Sequence, residues 1–241
     1  MKTREWTEER IYFMEVASSY SGYYEKLGAL IHSYVPYSIN VCDAGCGIGS
    51  LSIALSSYYE RVTGADISHS AIEALKKSIE KKHCNNVKAK EVDLNSLLGI
   101  VPKYDLMIFN YFGSLSQALD IGKRLCNGTL IIIKKNYTHH RFSIGSCPII
   151  SDIKEDVNEV IKNRCPNAIE KYFEFEMGQP LRTIEEGKLF YQLYSNDQNP
   201  NIITSETILS KIVETGRDDF PYYIPQVRKS RLIIVKTKDI I

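Results

Sequence analysis

Between residues 39 and 134, short apolar runs alternate with amphipathic stretches. Ile39, Val41 and Cys42 suit a strand, and residues 50–59 follow with Leu51, Ala54, Leu55 and Tyr58 at helical spacing. Residues 62–66, 87–92, 104–110 and 129–133 read as four further strands. The helices between them announce themselves by their caps. Ser68 or Ser70 starts one, with Ser70-Ala71-Ile72-Glu73 as a capping box and Ile72, Leu75 and Ile79 as its buried face. Ser114-Leu115-Ser116-Gln117 opens another, and Cys126-Asn127-Gly128 reads as the turn that closes it.

Outside this region the same signals are sparser. Residues 1–38 predict two helices: Thr7 caps the first, with Glu8 and Glu9 at its positive end, and Ser21 caps the second, whose apolar stripe is Tyr24, Leu27, Ile31 and Tyr34. Asp152-Ile153-Lys154-Glu155 predicts the cap of a later helix with Ile153, Val157, Val160 and Ile161 inward. Residues 169–177 read as a strand, Thr183 caps a helix running to about Tyr194, residues 204–215 form a short helix, and residues 231–235 are the last strand. Strands alternating with helices imply an α/β fold, a doubly wound and mostly parallel sheet with its ligand at the carboxyl ends of the strands. No Pro/Gly/Ser-rich linker divides the 241 residues, so we expect one domain over 1–241.

The chemistry concentrates in Asp43-Ala44-Gly45-Cys46-Gly47-Ile48-Gly49, a glycine turn between the first strand and its helix. Such a turn is expected to set bare backbone N–H groups beside a ligand. It is not the dinucleotide fingerprint G-x-G-x-x-G, because Ser50 stands where the third glycine belongs and Gly49 comes one residue early. Asp66 ends the second strand 17 residues after Gly49, and Asp93 with Leu94 closes the third. An acid at the second strand tip can accept both hydroxyls of a ribose. This series resembles the class I S-adenosylmethionine-dependent methyltransferases of the Rossmann-like superfamily, closely over about 39–134 and only in element order beyond 150.

The resemblance implies seven strands in the order 3-2-1-4-5-7-6 with the last antiparallel, and S-adenosyl-L-methionine as donor with S-adenosyl-L-homocysteine as product. It implies that Gly45, Cys46, Gly47 and Gly49 pass along the methionine portion, with Asp43 near its ammonium. Asp66 would hold the ribose, Ile67 would pack on the adenine face, and Asp93 and Leu94 would address the adenine edge. Asn110 and Tyr111, at the fourth strand tip, would lie near the sulfonium. Residues 1–38 would be a helical cover, with Tyr20, Tyr23 and Tyr24 as candidates to face the cleft and Tyr20 to reach the donor. Residues 39–134 would be the donor-binding core, and 135–241 substrate-side additions with the last strands.

Composition narrows the partner. Lysine plus arginine (30) balances aspartate plus glutamate (29), which argues against an extended nucleic-acid surface. Asn110-Tyr111-Phe112 also lacks both prolines of the nucleobase amino-methylating pattern. No apolar run approaches the ~18 residues of a spanning helix, and the charged residues 1–10 lack the apolar core of a signal peptide, so a cytoplasmic protein with no membrane partner is expected. The six cysteines form no C-x-x-C pair, and no acidic cluster follows strand five at Lys134-Lys135-Asn136, so no metal is expected.

The catalytic residues are not readable, because methyl transfer needs mainly alignment and exclusion of water. Asn110, Tyr111, His139 and His140 are the candidates. Large amphipathic side chains at Tyr20, Tyr23 and Tyr24 and at His139, His140, Arg141 and Phe142 favour a partly aromatic pocket for a small-molecule acceptor. The alternatives are an RNA or protein methyltransferase, or a non-catalytic donor-binding partner subunit. The oligomeric state is unknown from sequence.

Overall fold

The computed structural model describes residues 5–97, 104–137, 140–145, 155–195, 197 and 199–241. Two helices, α1 (Glu8–Ser21) and α2 (Tyr23–Tyr34), precede β1 (Asn40–Ala44), α3 (Ser50–Leu55), β2 (Arg61–Asp66), α4 (His69–Lys81) and β3 (Val87–Glu91). Then come β4 (Tyr104–Asn110), α5 (Leu115–Leu125), β5 (Cys126–Lys135), α6 (Val157–Arg164) and β6 (Ile169–Glu176). The last part holds β7 (Gln179–Leu181), α7 (Ile184–Tyr194), α8 (Ser205–Leu209), β8 (Val213–Glu214), β9 (Tyr222–Ile224) and β10 (Val227–Lys236).

The main sheet runs β3-β2-β1-β4-β5-β10-β6, with β10 antiparallel to both its neighbours and the other strands parallel. This is the expected order, β10 being its seventh strand. Alternation along each strand splits the core into two layers. Val41, Leu106, Ile108, Ile131, Ile133, Leu232 and Ile234 face α2 and α3 on one side. Cys42, Ala44, Met107, Phe109, Leu130, Ile132 and Ile233 face α5 and α6 on the other. The strand tips carrying the glycine turn, Asp66 and Asn110 therefore come together at one end of the sheet.

Several boundaries differ from the sequence reading. Ser21 is the last residue of α1, and α2 starts after Gly22, whose φ of +59° makes the corner. Thr7, Ser114 and Thr183 cap as expected, but α4 is capped by Ser68, so the box at Ser70 does not form. The helix assigned to a cap at 152–155 begins later, on Asp156, whose Oδ1 accepts from Asn158 and Glu159 N–H; Asp152 and Ile153 lie outside the described residues. Residues 126–128 belong to β5 rather than to a turn. Gly128 is there because a Cβ would lie 2.0 Å from the carbonyl oxygen of Asp105.

A second small sheet, β7-β9-β8, was not foreseen. Its strands have two or three residues, too few to show a period. The helix expected over 204–215 shortens to α8 and gives way to β8. Beneath this sheet Phe13, Phe142, Leu181, Phe190, Tyr191, Ile208 and Ile224 form a third core that ties α1 to α7. The N-terminal extension is thereby divided in role. Tyr23, Leu27 and Ile31 of α2 are wholly buried in the main core, whereas α1 leans on the small sheet.

Candidate functional site

A cavity of about 420 Å³ opens at the carboxyl ends of β1, β2 and β4, between the sheet and α1. Asp43, Gly45, Cys46, Gly47, Asp66, Ile67, Asn110, Tyr111 and His140 all contribute to its wall. Gly49, Asp93, Leu94 and Tyr20 do not. His139 lies outside the described residues.

The glycine turn is held in an unexpected way. Gly45 and Cys46 N–H donate to the carbonyl of Ala65 at 2.8 and 3.0 Å, and Gly49 N–H to that of Cys46 at 3.0 Å. Gly47 N–H donates to Asp66 Oδ2 at 2.8 Å. The N–H groups of Gly45, Cys46 and Gly47 are thus taken by the tip of β2 and that of Gly49 by the turn itself, so these four are not the bare donors expected. Its glycines serve shape. Gly45, Gly47 and Gly49 have φ of +67°, +54° and +76°. A Cβ would meet Phe112 at 2.1 Å from Gly45, Trp6 at 2.7 Å from Gly47 and Leu75 at 2.2 Å from Gly49. The third glycine therefore admits the α4 core, while the first two run beneath aromatic rings at the cavity.

Asp66 is fixed by two backbone donors, Gly47 N–H and, at 2.9 Å, Ser68 N–H. Each of its oxygens keeps a further lone pair toward the cavity. Asp43 is only 1% exposed, and Ser52 Oγ donates to its Oδ2 at 2.7 Å. Burial pushes its pKa up to about 7; the Ser52 bond opposes the rise and the charge of Asp66 adds to it. A buried acid at that value is poised to ionise beside a cation. Asp93 lies off the cavity, its Oδ1 accepting from Asn95 N and Nδ2 at 2.9 Å, and Leu94 is core. Tyr20 stacks on Tyr223 with centroids 5.1 Å apart.

Across β4 the wall changes character. Tyr111 has φ +56°, a strained value for a tyrosine. Its hydroxyl bonds Ser230 Oγ and lies 3.4 Å from that of Tyr23, and burial raises its pKa, so it stays a phenol rather than a base. Asn110 Oδ1 is shielded from solvent and has no partner. Behind the loop, Lys134 Nζ donates to Gly113 O at 2.6 Å, and burial lowers its pKa to about 8. Glu155, expected in a helix cap of its own, accepts from Leu115 and Ser116 N–H at the start of α5.

Trp6, Ser52, Phe112 and Arg228 were not singled out in sequence. Ser52 and Phe112 carry no pattern of their own. Arg228 did leave a signal: it has the parity of Leu232 and Ile234, the core-facing side of β10.

The family described as a methyltransferase domain matches residues 37–206. A ribosomal protein L11 methyltransferase of Campylobacter concisus is 27% identical over 118 residues, 47% of this chain and 42% of that protein. One from Dictyoglomus turgidum is 33% identical over 93 residues, 38% of this chain and 30% of that protein. The chain thus matches less than half the length of these curated relatives. A putative methyltransferase structure from Bacillus halodurans superposes with a TM-score of 0.55 at 11% identity, covering 88% of this chain and 98% of that one, which shows the shared fold.

Proposed function

We propose, from the premise that the chain belongs to the methyltransferase-domain family, that it transfers a methyl group from S-adenosyl-L-methionine to a small-molecule acceptor. The observation that carries this reading is the cavity itself, with two acids on its β1–β2 side, an unpartnered amide oxygen at the β4 tip and an aromatic wall beyond. The residues present fit the donor. Asp66 has lone pairs left for a ribose, Asp43 can balance an ammonium, and Gly45 and Gly47 leave the turn without side chains. Ile67, half exposed at the cavity, would offer an apolar face to a base. Asp93 and Leu94 would address the adenine edge and Gly49 would belong to the turn along the methionine portion, although none of the three lines the cavity.

When bound, the donor would supply an electrophilic methyl carbon, to which the acceptor's lone pair bonds in line as the carbon–sulfur bond breaks and its electron pair returns to sulfur, leaving a neutral thioether and a proton to be lost from the acceptor. The protein's share is to hold both partners and exclude water. Trp6 covers the glycine turn and α1 closes the top through Phe13, Met14 and Ala17. Asn110 Oδ1 can accept an N–H or O–H near the transferred group. His140, in the opposite wall, is the titratable candidate to take a proton.

A volume of about 420 Å³ lies toward the lower end of small-molecule sites, roughly 300–1,000 Å³. An acceptor must enter as a small molecule or as a single side chain, and the aromatic floor favours the former. The similarity to ribosomal protein L11 methyltransferases makes a protein acceptor the second reading. Calorimetric titration with S-adenosylhomocysteine, followed by turnover with a metabolite pool, an RNA pool and ribosomal proteins, tests both. We expect tight product binding and turnover with metabolites only. Turnover with ribosomal proteins alone would replace the acceptor, and absent product binding would remove the proposal.

A further inference from the structure

Among the described residues, the half of the cavity beyond β4 contains two guanidinium groups and no carboxylate paired with either. Arg228 stands second in β10, on its core-facing side. Its Cζ is 4.9 Å from the ring centroids of both Tyr23 and Tyr111, and its Nε is shielded from solvent without a hydrogen-bond partner. Arg141, from the segment after β5, has its Cζ 4.7 Å from the Phe142 centroid, and its Nη1 is likewise shielded and unpartnered. Burial, and then the charge of Arg228, lower the pKa of Arg141 to about 10, so it is still a cation at neutral pH. Among the described residues neither arginine takes part in an ion pair. Lys135 adds a third cation to the same wall.

Shielded like charges without a counterion are unfavourable, and removing water from their N–H groups without replacing its hydrogen bonds adds to the cost. Aromatic faces offset part of it, since guanidinium stacks well on tyrosine. What remains is Arg228 Nε and Arg141 Nη1, two donors with no protein acceptor among the described residues, although Tyr24 bonds the Arg228 guanidinium and Tyr137 that of Arg141. Guanidinium groups so placed match carboxylate or phosphate oxygens.

We propose that Arg141 and Arg228 form an anion subsite in the acceptor half of the cavity, holding a carboxylate or phosphate group of the small molecule that is methylated. The inference rests on the methyltransferase reading and narrows its substrate class to organic anions. Asn110 lines the same cavity, and its unpartnered Oδ1 would accept from an N–H or O–H of that molecule. The donor carries a carboxylate of its own, which is the other possible source of the anion. The sheet order favours the acceptor: Arg228 is on β10 and Arg141 follows β5, whereas Gly45, Gly47 and Asp66 lie at the tips of β1 and β2, with β4 between the two groups.

The test compares the wild-type chain with Arg228→Met, Arg141→Met and Arg228→Lys. Melting temperature is followed against inorganic phosphate and against chloride at matched ionic strength, with and without S-adenosylhomocysteine. Calorimetry gives the affinities of S-adenosylhomocysteine and of 5′-methylthioadenosine, which lacks the amino acid portion. Phosphate should stabilise the wild type beyond chloride, also with S-adenosylhomocysteine bound. The half-maximal phosphate concentration should rise about tenfold in each Met variant and less in Arg228→Lys, with S-adenosylhomocysteine affinity little changed.

An equal phosphate response in wild type and Met variants, or none in wild type, overturns the subsite. If phosphate loses its effect once S-adenosylhomocysteine is bound, and the Met variants lose that ligand but keep 5′-methylthioadenosine, the donor's carboxylate is the anion and the acceptor assignment falls. Failure of S-adenosylhomocysteine to bind any form would instead remove the methyltransferase reading, while the phosphate arm still reports on the arginines. Circular dichroism identifies a variant that does not fold, and the remaining substitutions then decide.

Discussion

The two halves of the cavity are built by opposite means. On the β1–β2 side the cavity is lined, Trp6 apart, by residues between positions 43 and 68, and Asp43, Gly45, Cys46, Gly47 and Asp66 are fixed by hydrogen bonds within this strand-turn-helix unit or to the adjacent strand tip. Its charged groups are acids. On the far side the wall draws on α1, the segment after β5, α7 and β10, residues up to about 220 positions apart, and its charged groups are Lys135, Arg141 and Arg228. A polar contrast of this kind suits a reaction that brings a cationic donor and an anionic acceptor face to face. The acids are held by hydrogen bonds within the turn and from Ser52, whereas the guanidinium groups of Arg141 and Arg228 rest against aromatic rings.

The sharpest way to break the comparison is to put a side chain into the glycine turn. Gly47→Val forces a β-branched residue to φ +54° and sets its Cβ 2.7 Å from Trp6. The backbone alone should cost of order 1–3 kcal/mol, and S-adenosylhomocysteine binding should fall below detection in calorimetry while phosphate stabilisation persists. Loss of both together would show that the halves are not independent.

Asp66→Ala comes next. It removes the acceptor proposed for the ribose and frees Gly47 and Ser68 N–H, so product affinity should drop by about 1.5–3 kcal/mol, read by titration. Asp66→Asn keeps one carbonyl acceptor for a backbone donor and should recover part of the loss. Wild-type affinity in both would mean that the β2 tip does not touch the donor.

This difference between the halves also explains what was legible in the sequence. The strands themselves, the glycine turn and Asp66 could be read because their chemistry is local, a strand, a turn and a carboxylate within a short span, whereas the strand order came only with the resemblance that those residues carry. The occupied N–H groups of Gly45, Cys46 and Gly47 could not, since their acceptors come from β2 and depend on strand pairing. Arg228 was missed because the last strand reads from Arg231 by hydrophobicity, while β10 begins at Val227 and sets a charged residue, Arg228, on the face of Leu232 and Ile234. Strands as short as β8 carry no period at all, so the small sheet that roofs the acceptor half was invisible. Asp156 takes the cap expected at 152–155, and Glu155 crosses to α5, because which of several acids caps which helix is settled by tertiary packing rather than by spacing.

The effect expected at Asp43 depends on pH. Its folded pKa of about 7 lies above the ordinary 3.8, so the native state keeps a proton that the unfolded chain releases in between. This contribution to stability is fully present below pH ~4 and is lost as pH rises through 7, at up to about 1.4 kcal/mol per pH unit. Ser52 and Asp66 face the same carboxyl, and the thiols of Cys42 and Cys46 beside it are themselves pushed up by burial. Asp43→Asn should flatten the melting temperature between pH 4 and 7 and raise it at pH 8. Product affinity of the wild type should strengthen as pH rises through 7, because the ionised acid attracts the ligand's ammonium, and that rise should vanish in the variant. A wild-type melting curve that does not weaken from pH 4 to 7 would place Asp43 in a more solvated setting than its burial implies.

The smallest effect marks where the donor half ends. Tyr20 is a candidate for donor contact by its place in the N-terminal helices, yet its ring stacks on Tyr223 and meets Phe220 edge-on at 6.2 Å, with the Arg217 guanidinium 5.2 Å above it. All three partners come from the segment of the small sheet, and none lines the cavity. Tyr20→Ala should therefore lower the melting temperature through lost aromatic packing, about 0.5–1.5 kcal/mol, and leave S-adenosylhomocysteine affinity within about twofold of wild type. Trp6→Ala is its counterpart, since Trp6 lies over Gly47: it should weaken the product several-fold with little loss of stability. If Tyr20→Ala weakens product binding as much as Trp6→Ala does, the small sheet is coupled to the donor half through α1, and the two halves of the cavity move as one.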